Sequence, residues 1–472
     1  MSARYVIVGA GPAGMRAAEQ LVQAGVRPVV LDEAPRHGGQ IYRQPPAAFA
    51  RSRRALYGFE ASRAASVLDR FEALRPHIDY RPDTLVWQLA ANALQTVSQG
   101  HNATIAYDAL ILATGATDRV LPFPGWTLPG VTTLGGAQVA LKYQACLLGP
   151  RVVFAGSGPL LYLVAFQYAS HGAQVAAVLD AAPRSAAWQA LPKMLARPGV
   201  LAKGAYYLAR LRLMGVLVHH GASLLRAQGQ ERVDSLTWKA AGVTHTTACD
   251  AVAFGYGLRS ETQLADLAGC EFAFSALEQA WQPTRDGAGR ASVRGVYLAG
   301  DGAATLGADA AEISGARAAL AALHDFGGEH SARSAADLER KTATQLRFRQ
   351  GMETLTALPP DWAAHAPDDL VVCRCEEITA GELRACVAET GARDVNRVKA
   401  LTRIGMGRCQ GRMCAPATAR LLADAAACSL EDAGRLRGQP PVKPLPIALM
   451  PGAVPGSSQN APAAQLVEEH DE

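Results

Sequence analysis

The sequence predicts an α/β fold of two nested parallel-sheet units, followed by a small helical unit that carries clustered cysteines. Three observations predict it. A strand, a glycine-rich turn, a helix and a second strand run through residues 4–33, and the same order recurs at 151–180. A late strand, Gly/Ala-rich turn and helix at 293–322 return the chain to the first unit. Four of the nine cysteines fall in two tight pairs at 373/375 and 409/414.

The first unit is expected over residues 1–125 and 285–325, the second over 126–284. A linker with a charged helix (residues 338–352) fills 326–365, and the cysteine unit fills 366–435. A Pro-rich, then polar tail, 436–472, reads as extended or disordered and suited to wrapping a partner surface. At 472 residues the chain exceeds one ordinary core, which agrees with several domains. Charged residues make up 19%, the net charge is +4 and only seven of 46 basic residues are Lys, so nothing asks for nucleic acid. Residues 4–8 already read as a strand, which leaves no secretory leader. Residues 152–170 lack charge, but Gly156-Ser157-Gly158-Pro159 interrupts them. They read as a buried strand and helix rather than a transmembrane segment.

Tyr5-Val6-Ile7-Val8 leads directly into Gly9-Ala10-Gly11-Pro12-Ala13-Gly14 and a helix stopped by Gly25. Gly9 permits the tight turn, Gly11 lets backbone approach a pyrophosphate, and Gly14 allows close helix–strand packing. The helix N-terminus offers free N–H groups and a positive dipole end to phosphate. A second strand ends in Asp32-Glu33, where a carboxylate meets ribose hydroxyls. A Gly-rich surface turn is the plain alternative, but strand, turn, helix, strand and acid all fall in register.

These motifs resemble the flavoproteins with two dinucleotide-binding folds, relatives of the disulfide reductases. The resemblance implies FAD at this site. Gly38-Gly39 matches the family's Gly pair, and its spacing favours Glu33 over Asp32 as the ribose ligand. Gln40 follows. Ala113-Thr114-Gly115 resembles the short motif near the cofactor. Val296-Tyr297-Leu298-Ala299-Gly300-Asp301-Gly302 resembles the late motif, whose Asp contacts the ribityl chain. The next helix would aim its N-terminus at the flavin's pyrimidine edge. Disulfide reductases carry a Cys pair near the flavin; here Gly39 is followed by Gln40-Ile41-Tyr42-Arg43, so no flavin-adjacent redox disulfide is expected.

At the second cradle, Gly156-Ser157-Gly158-Pro159-Leu160-Leu161 puts Leu161 where the third glycine belongs, which should push the helix off the strand. Asp180 ends the following strand and could accept ribose hydroxyls. NAD(H) binding and a merely retained fold both stay open.

Cys373-Arg374-Cys375 and Cys409-Gln410-Gly411-Arg412-Met413-Cys414 can converge on one metal centre, as zinc or as iron–sulfur. The one-residue gap of the first pair is unusual for structural zinc. Gly405, Gly407 and Gly411 would let backbone N–H groups approach the sulfurs. Arg374, Arg403, Arg408 and Arg412 would favour a reduced centre, or simply form a solvated basic face. The pattern resembles the bacterioferritin-associated-ferredoxin-like [2Fe–2S] domain, with CxxxxC in place of a closing CxxC. Cys146, Cys249, Cys270, Cys386 and Cys428 read as buried thiols.

The whole of about residues 1–440 resembles the large subunits of opine oxidases, hydrogen cyanide synthase and hydroxyproline dehydrogenases. That resemblance implies an FAD and [2Fe–2S] electron-transfer subunit, with no substrate-oxidising base of its own. Its implied partner is a second FAD-dependent substrate-oxidising subunit, and a small third subunit is an option. The implied localisation is cytoplasmic, or peripheral at the inner membrane through partners. A stand-alone NADH-dependent reductase of a ferredoxin-type acceptor and an iron- or redox-sensing interaction protein are the alternatives. Substrate and terminal acceptor are not legible.

Overall fold

A computed structural model describes residues 3–446, except 47, 50, 91, 329–331 and 357. The first sheet has five parallel strands in the order Val296–Leu298, Ala109–Leu112, Tyr5–Val8, Val29–Leu31, Asp79–Arg81. Tyr5–Val8 is buried on both faces, which explains why it reads as a continuous apolar run rather than an alternating one. The strand at Val296–Leu298 pairs with Ala109–Leu112, and the second unit lies between them in the chain, inserted within the first. An antiparallel meander of Thr84–Ala90, Ala93–Ser98 and His101–Ala106 bridges one crossover.

The helix Pro12–Gln23 lies against the Ala-rich helix Ala308–Asp325, where Ala310, Ala311, Ala316, Ala318, Ala319, Ala321 and Ala322 are all buried. Small residues let the two backbones approach: a Cβ on Gly315 would stand 2.0 Å from the Ala13 carbonyl oxygen.

The second sheet is likewise parallel, ordered Val218–His220, Gln174–Asp180, Arg151–Ser157, Ala251–Tyr256, Val131–Thr133. Leu258–Ser260 pairs antiparallel with Ala116–Asp118 and ties the two units together. The linker helix runs over Ala332–Leu355, longer than the sequence pattern suggests, and packs against Arg184–Met194 and Ala308–Asp325.

The cysteine unit is built from the helices Ala380–Thr390, Val395–Thr402 and Ala415–Ala425. Thr379 and Glu382 form a reciprocal capping box at the first of these, and Asp394 caps the second. Its core is continuous with that of the second unit, joining Phe254 and Trp126 to Val372, Leu383 and Leu421. Trp126 Nε1 donates to Val371 O at 2.7 Å, and Trp362 Nε1 to Pro122 O at 2.9 Å.

The start of the tail is ordered by its own chain. Val442 is 2% exposed in the first unit's core and its N–H donates to Trp87 O, while Lys443 pairs with Glu33. The remainder of the expected tail lies outside the described residues. Among the described residues no helix is long and apolar enough to cross a membrane.

Candidate flavin and iron–sulfur sites

Gly9 sits at φ +104°, and a Cβ there would stand 2.3 Å from Ala113 O. A Cβ on Gly14 would stand 1.8 Å from Gly9 O. Both glycines are therefore required by contact, as the sequence pattern predicts. Gly39, at φ +61°, comes so near Gly11 that its Cβ would meet the Gly11 Cα at 2.9 Å. The helix begins with Pro12 at its first turn and has no side-chain cap, which leaves backbone N–H groups for an anion.

Of the two adjacent acids, Asp32 is the one turned into the glycine turn. Asp32 is buried; its Oδ2 accepts from Ala10 N and its Oδ1 accepts from Ala34 N at 2.7 Å. Burial pushes its carboxyl up to about 6, against the pull of the Ala34 and Ala10 donors. Glu33 points outward, with a side chain 54% exposed and paired with Lys443. One step along an extended chain turns the side chain to the other face, and spacing alone does not resolve which acid faces the turn. Gln40 is exposed and accepts from Arg43 Nη2 at 2.8 Å.

Thr114 Oγ1 donates to Glu261 O at 2.6 Å, and Gly115 takes φ +74°. Gly302 packs on this turn, since its Cβ would lie 2.4 Å from Thr114 Oγ1. Gly300 is buried at φ +65° and its N–H donates to Ser314 Oγ at 2.6 Å. Asp301 Oδ1 accepts from Leu306 N at 3.0 Å and Gly307 N at 2.9 Å, which shapes the approach to the uncapped helix at Ala308. Burial holds the Asp301 carboxyl above its ordinary range. Thus Gly9, Gly11, Pro12, Ala13, Gly14, Thr114, Gly115, Gly300 and Asp301 gather at the carboxyl edge of one parallel sheet, where such sheets bind dinucleotides. A required glycine turn, two uncapped helix starts and a buried acid fit FAD.

The second cradle is built differently. Gly156 is required, its Cβ being 1.7 Å from Gly255 O. Gly158 faces Thr356: a Cβ there would stand 2.8 Å from Thr356 Cγ2. Arg119, itself buried, holds that segment by donating from Nη2 to Thr356 O at 3.1 Å and from Nε to Tyr256 O at 2.8 Å. Leu161 is fully buried among Leu134, Val164 and Phe154. Asp180 is already engaged by Tyr162 Oη, by Ala182 N at 2.9 Å and by His220 Nδ1 at 3.3 Å.

The four cysteines Cys373, Cys375, Cys409 and Cys414 converge as two neighbouring pairs. Cys373 and Cys414 share a thiol hydrogen bond, as do Cys375 and Cys409. The Cys414 bond and the N–H groups of Gly405, Glu376 and Cys375 bring the Cys373 thiol down to about 5. Cys414 is pushed up by the same bond and by burial, and Cys375 by burial. Gly405 thus plays the expected part of a backbone donor to sulfur. Gly407 is required sterically, because its Cβ would lie 2.3 Å from Cys375 Cβ. Among the described residues no three His, Cys, Asp or Glu side chains gather around one ion. Four thiols paired two by two fit a two-iron centre.

Of the four nearby arginines, only Arg412 turns inward, where Nε meets Glu261 Oε2 at 2.7 Å. Arg374 lies over Trp126, Arg403 pairs with Glu376 while 68% exposed, and Arg408 is exposed. Sequence reasoning missed Glu261, Arg259 and Thr356. None sits in a spacing pattern.

A dinucleotide cradle of this geometry and a four-thiol centre in one chain define a flavoprotein with an iron–sulfur centre, an FAD-dependent oxidoreductase carrying [2Fe–2S]. The chain belongs to the family of pyridine nucleotide-disulphide oxidoreductases, whose model matches residues 3–322, and residues 371–424 match the BFD-like [2Fe-2S] binding domain. It is 38% identical to an opine oxidase subunit of Rhizobium meliloti, covering 94% of this chain and 86% of that one. It is 34% identical to hydrogen cyanide synthase subunit HcnB of Pseudomonas protegens, over 100% of both chains. The fold is that of L-proline dehydrogenase from P. horikoshii, with TM-score 0.70 and 19% identity, covering 95% of this chain and 79% of that one.

Proposed function

We propose that this chain is the electron-transfer subunit of a heteromeric dehydrogenase that oxidises a C–N bond in an amino acid or opine. The observation that carries the proposal is the linkage of its two redox sites through one residue, Glu261. The Thr114–Gly115 turn is hydrogen-bonded to Glu261, and Glu261 is ion-paired with Arg412 inside the Cys409–Cys414 loop. Full-length likeness to proteins named as subunits of opine oxidase and hydrogen cyanide synthase supports the same reading.

In it, Gly9, Gly11 and Gly14 shape the pyrophosphate turn, and the N–H groups of Ala13 and Gly14 bind its charge. Asp32, rather than Glu33, accepts from ribose hydroxyls. Thr114, Gly115 and Gly39 line the approach, and Asp301 receives the ribityl hydroxyls. Cys373, Cys375, Cys409 and Cys414 hold iron as thiolates. FAD supplies two-electron chemistry and the iron pair single-electron relay. The partner is a second FAD-dependent subunit that binds the amine. The stand-alone NADH reductase is disfavoured by Thr356 packed against Gly158, at the turn where a pyrophosphate would approach.

The test is turnover of amino acids and opines with an artificial one-electron acceptor. The chain alone should give none, and co-purification with the second flavoprotein should restore it. Full amine oxidation by the purified chain alone refutes the reading.

A further inference from the structure

The loop that carries Cys409 and Cys414 is pinned to the flavin-side turn by a small internal network. Thr114 Oγ1 donates to Glu261 O at 2.6 Å, and Glu261 N donates back to Gly115 O at 2.9 Å. The Glu261 carboxylate meets Arg412 Nε at 2.7 Å, with both side chains largely buried, at 14% and 13% exposure. Arg412 then reaches Cys409 O twice, from N at 3.1 Å and from Nη1 at 3.4 Å, and Val442 O at 2.6 Å. Arg259, one strand residue before Ser260, donates from Nη1 to Arg412 O at 3.0 Å and to Gly411 O at 3.4 Å. Gln263 Nε2 donates to Gln410 O at 2.7 Å. Four carbonyls of one six-residue loop are therefore held by three side chains, two of them from the segment that also pairs with the Thr114–Gly115 turn.

The geometry points to the Glu261–Arg412 ion pair, braced by Arg259, as the clamp that fixes the cluster-ligand loop against the flavin-side turn and so sets electron transfer between the two centres. Glu261 and Arg412 are positioning residues: neither ligates iron. The inference rests on the proposed function for its redox meaning, while the clamp itself is a property of the chain. With both groups bound, FAD would supply two electrons per reduction, and the iron pair held by Cys373, Cys375, Cys409 and Cys414 would pass them one at a time to an external one-electron acceptor. A rigid loop keeps that separation constant. Opening the pair leaves a buried guanidinium without its carboxylate, and the loop gains freedom.

The experiment uses the full chain with Glu261→Gln and with Arg412→Lys. FAD and iron are quantified first. The flavin is photoreduced with a sacrificial tertiary amine as electron donor, and bleaching of the iron–sulfur band is followed. At equal FAD and iron content, Glu261→Gln should slow that bleaching at least about tenfold, the factor set by one lost charge-assisted hydrogen bond. Photoreduction of the flavin itself should be unchanged. Arg412→Lys, which keeps the charge, should fall between the two. A second measurement needs no cofactor: amide exchange of residues 409–414 in the iron-free chain should speed up at least about tenfold in Glu261→Gln. It decides the matter even if the variant loses its iron. Unchanged exchange, or an unchanged bleaching rate with cofactors intact, overturns the clamp. A wild-type chain without iron overturns the proposed function instead, and leaves the exchange result standing.

Discussion

Lowering the pH should weaken FAD binding through a single carboxyl group. Asp32 is buried at the glycine turn and its carboxyl is pushed up to about 6. Ribose hydroxyls donate most strongly to the carboxylate, because protonation turns one of its acceptors into a donor. Below about pH 6 the protonated acid holds the ribose less well, so affinity should fall by up to about tenfold per pH unit, or ~1.4 kcal/mol, and level off above. The contribution of Asp32 to the stability of the FAD-free chain should move the opposite way. A raised carboxyl binds its proton more tightly in the folded state than in the unfolded one. Its contribution to stability is therefore fully present below about pH 4 and declines by up to roughly 3 kcal/mol as pH rises to about 6.

Equilibrium dialysis of FAD against the FAD-free chain, from about pH 5 to about pH 7, measures the first slope. Asp32→Asn should abolish the slope and lower affinity at neutral pH by about tenfold to a hundredfold, the loss of charge-assisted hydrogen bonds. Glu33→Gln removes only an exposed pair with Lys443 and should change affinity by less than about fivefold. A flat wild-type profile, or a slope lost in Glu33→Gln and kept in Asp32→Asn, refutes the reasoning.

Cys373→Ser should remove the visible iron–sulfur bands and the bound iron while FAD is retained, as measured by absorption and iron assay. Excess NADH should neither bleach the flavin nor raise Tm, because Thr356 occupies the face of Gly158; a bound nucleotide at a hundred times its Kd would instead add about 2.7 kcal/mol. Leu421→Ala empties a fully buried site in the core shared by the cysteine unit and the second unit. It should cost about 2–5 kcal/mol by chemical denaturation.

The backbone-dictated parts of both sites were legible in the sequence. Gly9 and Gly14 are forced because a Cβ at either would stand 2.3 or 1.8 Å from a carbonyl oxygen, and such constraints leave a mark at fixed spacing. The cysteine pairs were legible because thiolate ligands to one centre recur at short, fixed spacing. Side-chain direction was less so: Asp32 and Glu33 are adjacent, and only the pairing of Val29–Leu31 decides which one faces the turn. Contacts between remote segments left no trace. Thr356 meets Gly158 from 198 positions away, and Arg412 meets Glu261 across 151. The Pro-rich run after residue 436 reads as unstructured by composition, yet Val442 is buried in the first unit's core and its N–H donates to Trp87 O. The Thr356 contact at Gly158 is an obstruction that composition cannot announce.

The most direct measurement is the flavin and iron content of the anaerobically purified chain, read together with its absorption spectrum. One FAD and about two irons per chain, with overlapping flavin and iron–sulfur bands, are expected. A colourless protein, or zinc bound at Cys373, Cys375, Cys409 and Cys414, would contradict the account.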